Sequence, residues 1–306
     1  MLTIEASKIK EVMMNLDNLS YQKILFDGPW GIGKTKYILD SIKNQDNIYY
    51  ISLFGKNNIN TFYEELYYLL LSVEKVKLKK TLKYLKELNI SQFGLNISIP
   101  LMSDILKNIQ KELAQKSSIA IIIDDLERKN DSFKIKEIFG FIDSITKNED
   151  IKVILLASSQ NLPGSDSEKE IFENYAEKSI DRIYKITSPS KTAPQEILGK
   201  EIWDSIKNLY IDNELKNLRT LEKTKFFIDE VIQQVGVDSF NEKFNKEDLY
   251  KICAAVIIFL IEHNKETLLL PDLTDDDLQN AFYNTYKHEE NHPSYIAGYI
   301  LDNKLK

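Results

Sequence analysis

Short apolar runs bounded by turn residues alternate along the first two thirds of the chain with stretches of helical periodicity. Five runs read as strands: Lys23 to Asp27 and Lys152 to Ser159, both buried, with Asn47 to Phe54, Ile119 to Asp125, and Asp181 to Ile186. Between and around them, residues 4–17, 36–44, 58–73 and 133–148 carry helical spacing; in the third of these the apolar positions are Phe62, Leu66, Leu69 and Leu70. Residues 75–118 are helical with one break at 89–100, a loop or a short hairpin. Strands that alternate with helices predict an α/β fold, a parallel sheet with helices on both faces. Pro189 and Pro194, set among Ser, Lys and Thr, mark a boundary, since such clusters punctuate elements. Beyond it only helical periodicity is found, over 195–208, 216–235, 246–263, 275–287 and 293–301. The expected domains are therefore 1–190, carrying the sheet, and 191–306, an all-helical C-terminal domain.

Composition narrows the class. Apolar residues are 43% and charged residues 28% of 306, ordinary for a globular protein with a core that needs no staples. The single cysteine, Cys253, excludes an intramolecular disulfide and a thiolate metal cluster, and fits a reducing, cytoplasmic setting. The first residues show no basic region followed by an apolar stretch, which predicts no signal peptide. The longest apolar run, Ile252 to Ile261, is about half a bilayer span, so a buried helix is expected and no membrane partner. The net charge is −7, and the whole excess falls in residues 191–306. That argues against wide phosphate-backbone contact there, although abundant Lys leaves nucleic acid open as a partner.

The most specific chemistry lies at Gly28, Pro29, Trp30, Gly31, Ile32, Gly33, Lys34 and Thr35. Gly28, Gly33, Lys34 and Thr35 fit G-x-x-x-x-G-K-[ST], and the match sits between a predicted strand and a predicted helix, as the mechanism requires. Glycine allows the backbone to curl so that consecutive amides face a β-phosphate. The helix that follows adds its free amides and positive end. Lys34 is expected to bridge the β- and γ-phosphates of ATP, and Thr35 to place its hydroxyl on Mg²⁺. A carboxylate from a neighbouring strand should complete the metal site. Asp124, at the end of the strongest apolar run, is that candidate. Asp125 is expected to polarise the attacking water, with Glu127 in reserve.

Trp30 ahead of the second loop glycine, with DDLER after a hydrophobic strand, resembles the KAP group of P-loop NTPases, relatives of the STAND and AAA-like signalling ATPases. The likeness covers about residues 20–230. It implies a polar sensor at Ser158, in VILLASSQNL, where the family often has Asn. It also implies that KNLRTLEKTK is the helix start that brings Arg219 to the nucleotide, within a helical domain that packs over it. Many members carry membrane helices between the two nucleotide motifs; residues 55–118 are too polar for that. Arg128, Arg182 and Arg219 are the arginines of the chain. Each could meet a γ-phosphate in its own subunit or in a neighbour's, or serve only as a surface charge.

The expected activity is therefore that of a Mg²⁺-dependent ATPase with a regulatory or signalling role, which the resemblance extends to bacterial anti-phage defence. The alternative is a nucleotide-gated scaffold with negligible turnover. A homo-oligomer and an unidentified effector protein are the partners left open. Two weaker signals are set aside. His288, Glu289 and His292 match H-E-x-x-H, but the intervening residues are polar and Pro293 opposes a continuing helix. Pro271 to Leu278 is acidic and reads more simply as a capped helix start.

Overall fold

The computed structural model describes residues 1–43, 45, 47–71, 102–162, 166–236, 240 and 245–262. The break at 89–100, the acidic stretch Pro271 to Leu278, the His288 motif and the helices expected at 275–287 and 293–301 lie outside the described residues. The chain divides into two compact units, Met1–Ser188 and Pro189–Lys306.

The first unit is built on six strands: β1 (Leu2–Glu5), β2 (Lys23–Asp27), β3 (Ile48–Ser52), β4 (Ile119–Asp124), β5 (Ile151–Ala157) and β6 (Arg182–Ser188). They form one sheet in the order β1-β6-β2-β5-β4-β3, with every pairing parallel. The described helices are α1 (Lys8–Met14), α2 (Lys34–Ile42), α3 (Ile59–Leu71), α4 (Met102–Ala114), α5 (Ile135–Ile145) and α6 (Asp166–Ser179). Side chains of a strand alternate between faces, and the two cores follow that period. Leu25, Ile121, Ile123, Val153 and Leu155 enter one cluster with α3 to α6. Ile24, Phe26, Ile122, Ile154 and Leu156 enter the other with α1 and α2. Strands buried on both sides explain the unbroken runs: all six residues of β4 are buried, each large aliphatic contributing about 1.5–3 kcal/mol.

Two expectations need correction. Residues 4–17 are not one helix; β1 precedes α1, and a single 3₁₀ turn follows it at Leu16–Asn18. Leu2-Thr3-Ile4-Glu5 alternates with period two, the mark of an edge strand, and Leu2 to Ile4 pair with Tyr184 to Ile186. The helix α6 is an element beyond those expected from the sequence; its sequence is mostly polar, and Phe172 and Ala176 anchor it.

In the second unit the described elements are helical: α7 (Ala193–Leu198), α8 (Lys200–Asp212), α9 (Leu218–Val235) and α10 (Lys246–Glu262). The periodicity over 195–208 splits into two helices at Gly199, whose φ of 79° an L side chain rarely adopts. Ile206, Leu221, Ile228, Ala254 and Ile258 form the centre of this core. The apolar run of Ile252 to Ile261 lies within α10. Among the described residues no helix is long and apolar enough to cross a membrane.

Candidate nucleotide site

In a parallel sheet all the strand ends point one way, so the loops that follow β2, β4 and β5 gather along one edge, where α/β folds bind ligands. Residues 28–33 leave β2 there and turn directly into α2. Gly31 and Gly33 have φ of 72° and 103°, the left-handed conformations that the curl requires. Gly28 is needed for a different reason: a Cβ there would stand 2.5 Å from the carbonyl oxygen of Ile186 on β6. Ile32 is fully buried and staples the loop into the core beneath it. Trp30 remains 42% exposed. Lys34 is 7% exposed, and its ammonium donates to the carbonyls of Gly28 at 2.6 Å and Pro29 at 3.0 Å.

The strand carrying Asp124 is not the neighbour of β2, contrary to the expectation of an adjacent strand; β5 lies between them. The first turn of α2 crosses that gap. The Thr35 hydroxyl donates to Asp124 Oδ2 at 2.7 Å, and so does the Tyr50 hydroxyl from β3, also at 2.7 Å. The Asp125 amide donates to Asp124 Oδ1 at 2.7 Å. Asp124 is 4% exposed. Burial raises its carboxyl to about 6, and the nearby Asp125 charge adds to the rise, while the three hydrogen bonds oppose it. Tyr50 is held in its protonated form by burial and by the Asp124 charge, so toward that carboxylate it is a donor.

Asp125 takes a left-handed backbone, φ 59°. Its carboxylate accepts from Ser52 Oγ at 2.6 Å and from Arg128 at 3.2 Å. The Arg128 guanidinium also lies 3.8 Å from the centre of the exposed Phe54 ring. Glu127 is buried and spans the site: Oε1 accepts from the Trp30 indole at 2.5 Å, and Oε2 accepts from the Ser158 amide at 2.9 Å. Ser158 is buried just past the end of β5, with its hydroxyl accepting from Asn161 at 2.7 Å.

Arg182 is not brought to the loop within its own chain. It opens β6 opposite Ile24, three positions ahead of the Asp27 pairing with Lys185, about 10 Å along the strand, and its guanidinium lies over the Tyr21 ring. Arg219 is exposed in the first turn of α9, in the second unit.

Four residues escaped the sequence reading. Tyr50 and Ser52 occupy the end of β3 and reach the two aspartates. Asp27, which ends β2, is buried and accepts from the Ser159 amide at 2.8 Å and hydroxyl at 2.7 Å. Lys185 of β6 completes that cluster as an ion pair with Asp27. Asp27 could have been noticed as an acid closing an otherwise apolar run; the others depend on strand order.

Oxygen donors of this kind suit Mg²⁺, which takes one or two protein ligands and keeps waters and phosphates for the rest. A buried carboxylate surrounded by hydroxyls and an amide, its ionisation opposed by burial, fits a cation in the same way. Thr35 and Asp124 are the residues that would hold it. Among the described residues no cluster of three or more His, Cys, Asp or Glu could hold a metal by itself.

Residues 6–170 match the model of a family described as an ATPase domain predominantly from Archaea. No curated protein matches the chain by sequence. Among solved structures the chain is similar to a Walker-type ATPase of Pyrococcus abyssi, with 14% identity, a TM-score of 0.38, and coverage of 82% of this chain and 66% of that one. It is similar also to a Pif1 helicase from Bacteroides in complex with ADP-AlF3 and single-stranded DNA, with 14% identity, a TM-score of 0.31, and coverage of 66% and 47%. A third is a STAND protein with a tetratricopeptide repeat sensor from Pyrococcus horikoshii, with 14% identity, a TM-score of 0.30, and coverage of 96% and 38%. The chain thus spans 66% or less of the length of each of these structures.

Proposed function

The chain belongs to the family of ATPase domains found predominantly in Archaea, and from that membership we propose that it binds Mg²⁺ and ATP at residues 28–35 and hydrolyses the γ-phosphate. The observation that carries this reading is the 2.7 Å hydrogen bond from Thr35 to Asp124 across an intervening strand. It joins the two groups that the metal needs, directly after a loop of the required glycine pattern. The amides of the loop and the start of α2 receive the phosphates, and Lys34 exchanges its loop carbonyls for the β- and γ-phosphate oxygens. A bound Mg²⁺ supplies charge neutralisation to those oxygens. Asp125 orients the attacking water and accepts its proton, with Arg128 beside it as a counter-charge. Ser158 supplies a polar contact near the γ-phosphate.

Trp30 and the DDLER run support a finer placement within the KAP-type ATPases, and with it a regulatory or anti-phage role exercised through a partner protein. Calorimetry with Mg²⁺ and ATP should show heat for the wild type and none for Lys34→Ala. Asp125→Asn should bind ATP and release no phosphate above the Lys34→Ala background; turnover retained in either variant counts against the scheme.

The scaffold reading, in which ATP is held with negligible turnover, is supported by two contacts of one carboxylate. The Asp125 carboxylate is already engaged by Ser52 and Arg128. Phosphate release measured with and without DNA, RNA and cell extract separates the two; a rate equal to that of Lys34→Ala under every condition favours the scaffold.

A further inference from the structure

Glu127 is placed to do something other than activate water. A carboxylate has two acceptor oxygens, and here they are divided between two elements: one takes the Trp30 indole of the phosphate loop, the other the Ser158 amide past the end of β5. The adjacent Ser159 is held from the opposite side by Asp27, through both its amide and its hydroxyl. Asp27 is bonded covalently to Gly28, the first residue of the loop. The contacts therefore close a ring that runs from Asp27 to Ser159, Ser158, Glu127 and Trp30, and returns through Gly28. The loop is pinned at both its origin and its third residue to the same strand end. Asp27 and Glu127 are each buried, and the hydrogen bonds they accept from Ser159 and Trp30 are part-buried.

We infer that Glu127 is a positioning residue, which acts through the Trp30 indole and the Ser158 amide to fix the conformation of the phosphate loop for its ligand. The inference rests on residues 28–35 being the nucleotide site. It assigns Trp30 a purpose as well. The indole N–H reaches out of the loop to the clasp, and its ring stays partly exposed because only the N–H is required. Preorganising a loop raises affinity by removing the cost of ordering it on binding. Opening the ring should therefore act on affinity ahead of turnover.

The test compares Trp30→Phe, Glu127→Gln and the double variant with the wild type. Each is checked first for a wild-type melting transition, then titrated with Mg²⁺ and a fluorescent ATP analogue and assayed for kcat and KM. Trp30→Phe keeps the ring and loses the donor. Glu127→Gln keeps the shape, but an amide accepts at one end only, so one of the two donors is left facing another donor. Each single variant should weaken Kd and raise KM by about tenfold, the scale of one hydrogen bond to a charged group. The double variant should be no weaker than the worse single one, because a ring opened at either link is already open. Unchanged Kd with kcat reduced to background in Glu127→Gln would identify Glu127 as the general base and overturn the inference. Additive losses would overturn it too. A structural readout is available without turnover. The chain has two tryptophans, so in a Trp203→Phe background Trp30 is the sole indole, and Glu127→Ala should alter its emission; identical spectra contradict the clasp. Wild-type protein that binds the analogue no better than Lys34→Ala would instead refute the nucleotide site beneath it.

Discussion

Replacing Asp124 by Asn should make the metal-free protein more stable at pH 8 while abolishing its response to Mg²⁺ and ATP. Asp124 is 4% exposed, and burial raises its carboxyl from the ordinary 3.8 to about 6. Below pH 3.8 the group is protonated in the folded and unfolded chains alike. Between 3.8 and about 6 the unfolded chain ionises while the folded one does not, so stability falls as pH rises through that window. Above about 6 the folded chain carries a buried anion, and the loss levels off. A displacement from 3.8 to about 6 corresponds to about 3 kcal/mol. Asn is neutral throughout. Its oxygen can accept from the Asp125 amide, and its amide can donate to the Thr35 and Tyr50 hydroxyls, which rotate to receive it. The comparison is a thermal melt in EDTA at pH 4 and at pH 8. At pH 4 the two proteins should melt together. At pH 8 the variant should melt higher, by about 5–10 °C for a unit of this size. Adding Mg²⁺ and ATP at pH 8 should raise the wild type past the variant, since ligand stabilises only the form that binds it. A variant that melts below the wild type at pH 8 without metal, or a difference that does not vary with pH, would refute the argument.

Lys34→Ala should weaken ATP binding by at least about a hundredfold, the scale of a lost charge-assisted contact, read by calorimetry. Gly28→Ala places a methyl 2.5 Å from the Ile186 carbonyl oxygen; β2 and β6 must separate, at about 1–3 kcal/mol. A melting temperature equal to the wild type would show that the sheet edge yields freely. Cys253 is buried and its thiol is pushed up to about 11, so a thiol reagent at pH 8 should leave the native protein unlabelled and react once it is unfolded in guanidinium. Rapid labelling of the native protein would mean that α10 opens far more readily than its burial suggests.

The sequence carried the elements whose period survives tertiary packing. β2 and β4 are buried on both faces, so their apolar runs are unbroken and their ends, Asp27 and Asp124, coincide with the end of apolarity. The glycine pattern at residues 28–35 was equally plain, because backbone curvature demands specific residues at fixed spacing. β1 was obscured for the opposite reason: as an edge strand of four residues it offers a single alternation, which the following helical pattern absorbs. The contacts of Tyr50 and Glu127 could not be read at all. They join residues 74 and 97 positions apart in the chain to their partners Asp124 and Trp30, and only strand order brings such residues together.

Strand order is also what gives the site its middle. Were β4 paired directly with β2, Asp124 would follow the loop strand with nothing between, and no third strand end would separate the glycine loop from the acidic turn. Inserting β5 spaces β2 from β4 by two sheet intervals, about 9–10 Å. The hydroxyl of Thr35 reaches Asp124 only because α2 starts immediately at Lys34 and leans across β5. The inserted strand then ends beneath the space so created, and its last buried residue is followed by two serines, each held by a carboxylate from a different side. A longer loop before α2 would take Thr35 off Asp124, and a β5 shorter by one residue would withdraw Ser158 from Glu127. Insertion of a single glycine between Gly33 and Lys34 should therefore cost metal-dependent ATP binding while leaving the sheet intact, readable as lost calorimetric heat with an unchanged circular dichroism spectrum. Retained binding in that variant would mean that the register between α2 and β4 does not set the metal site.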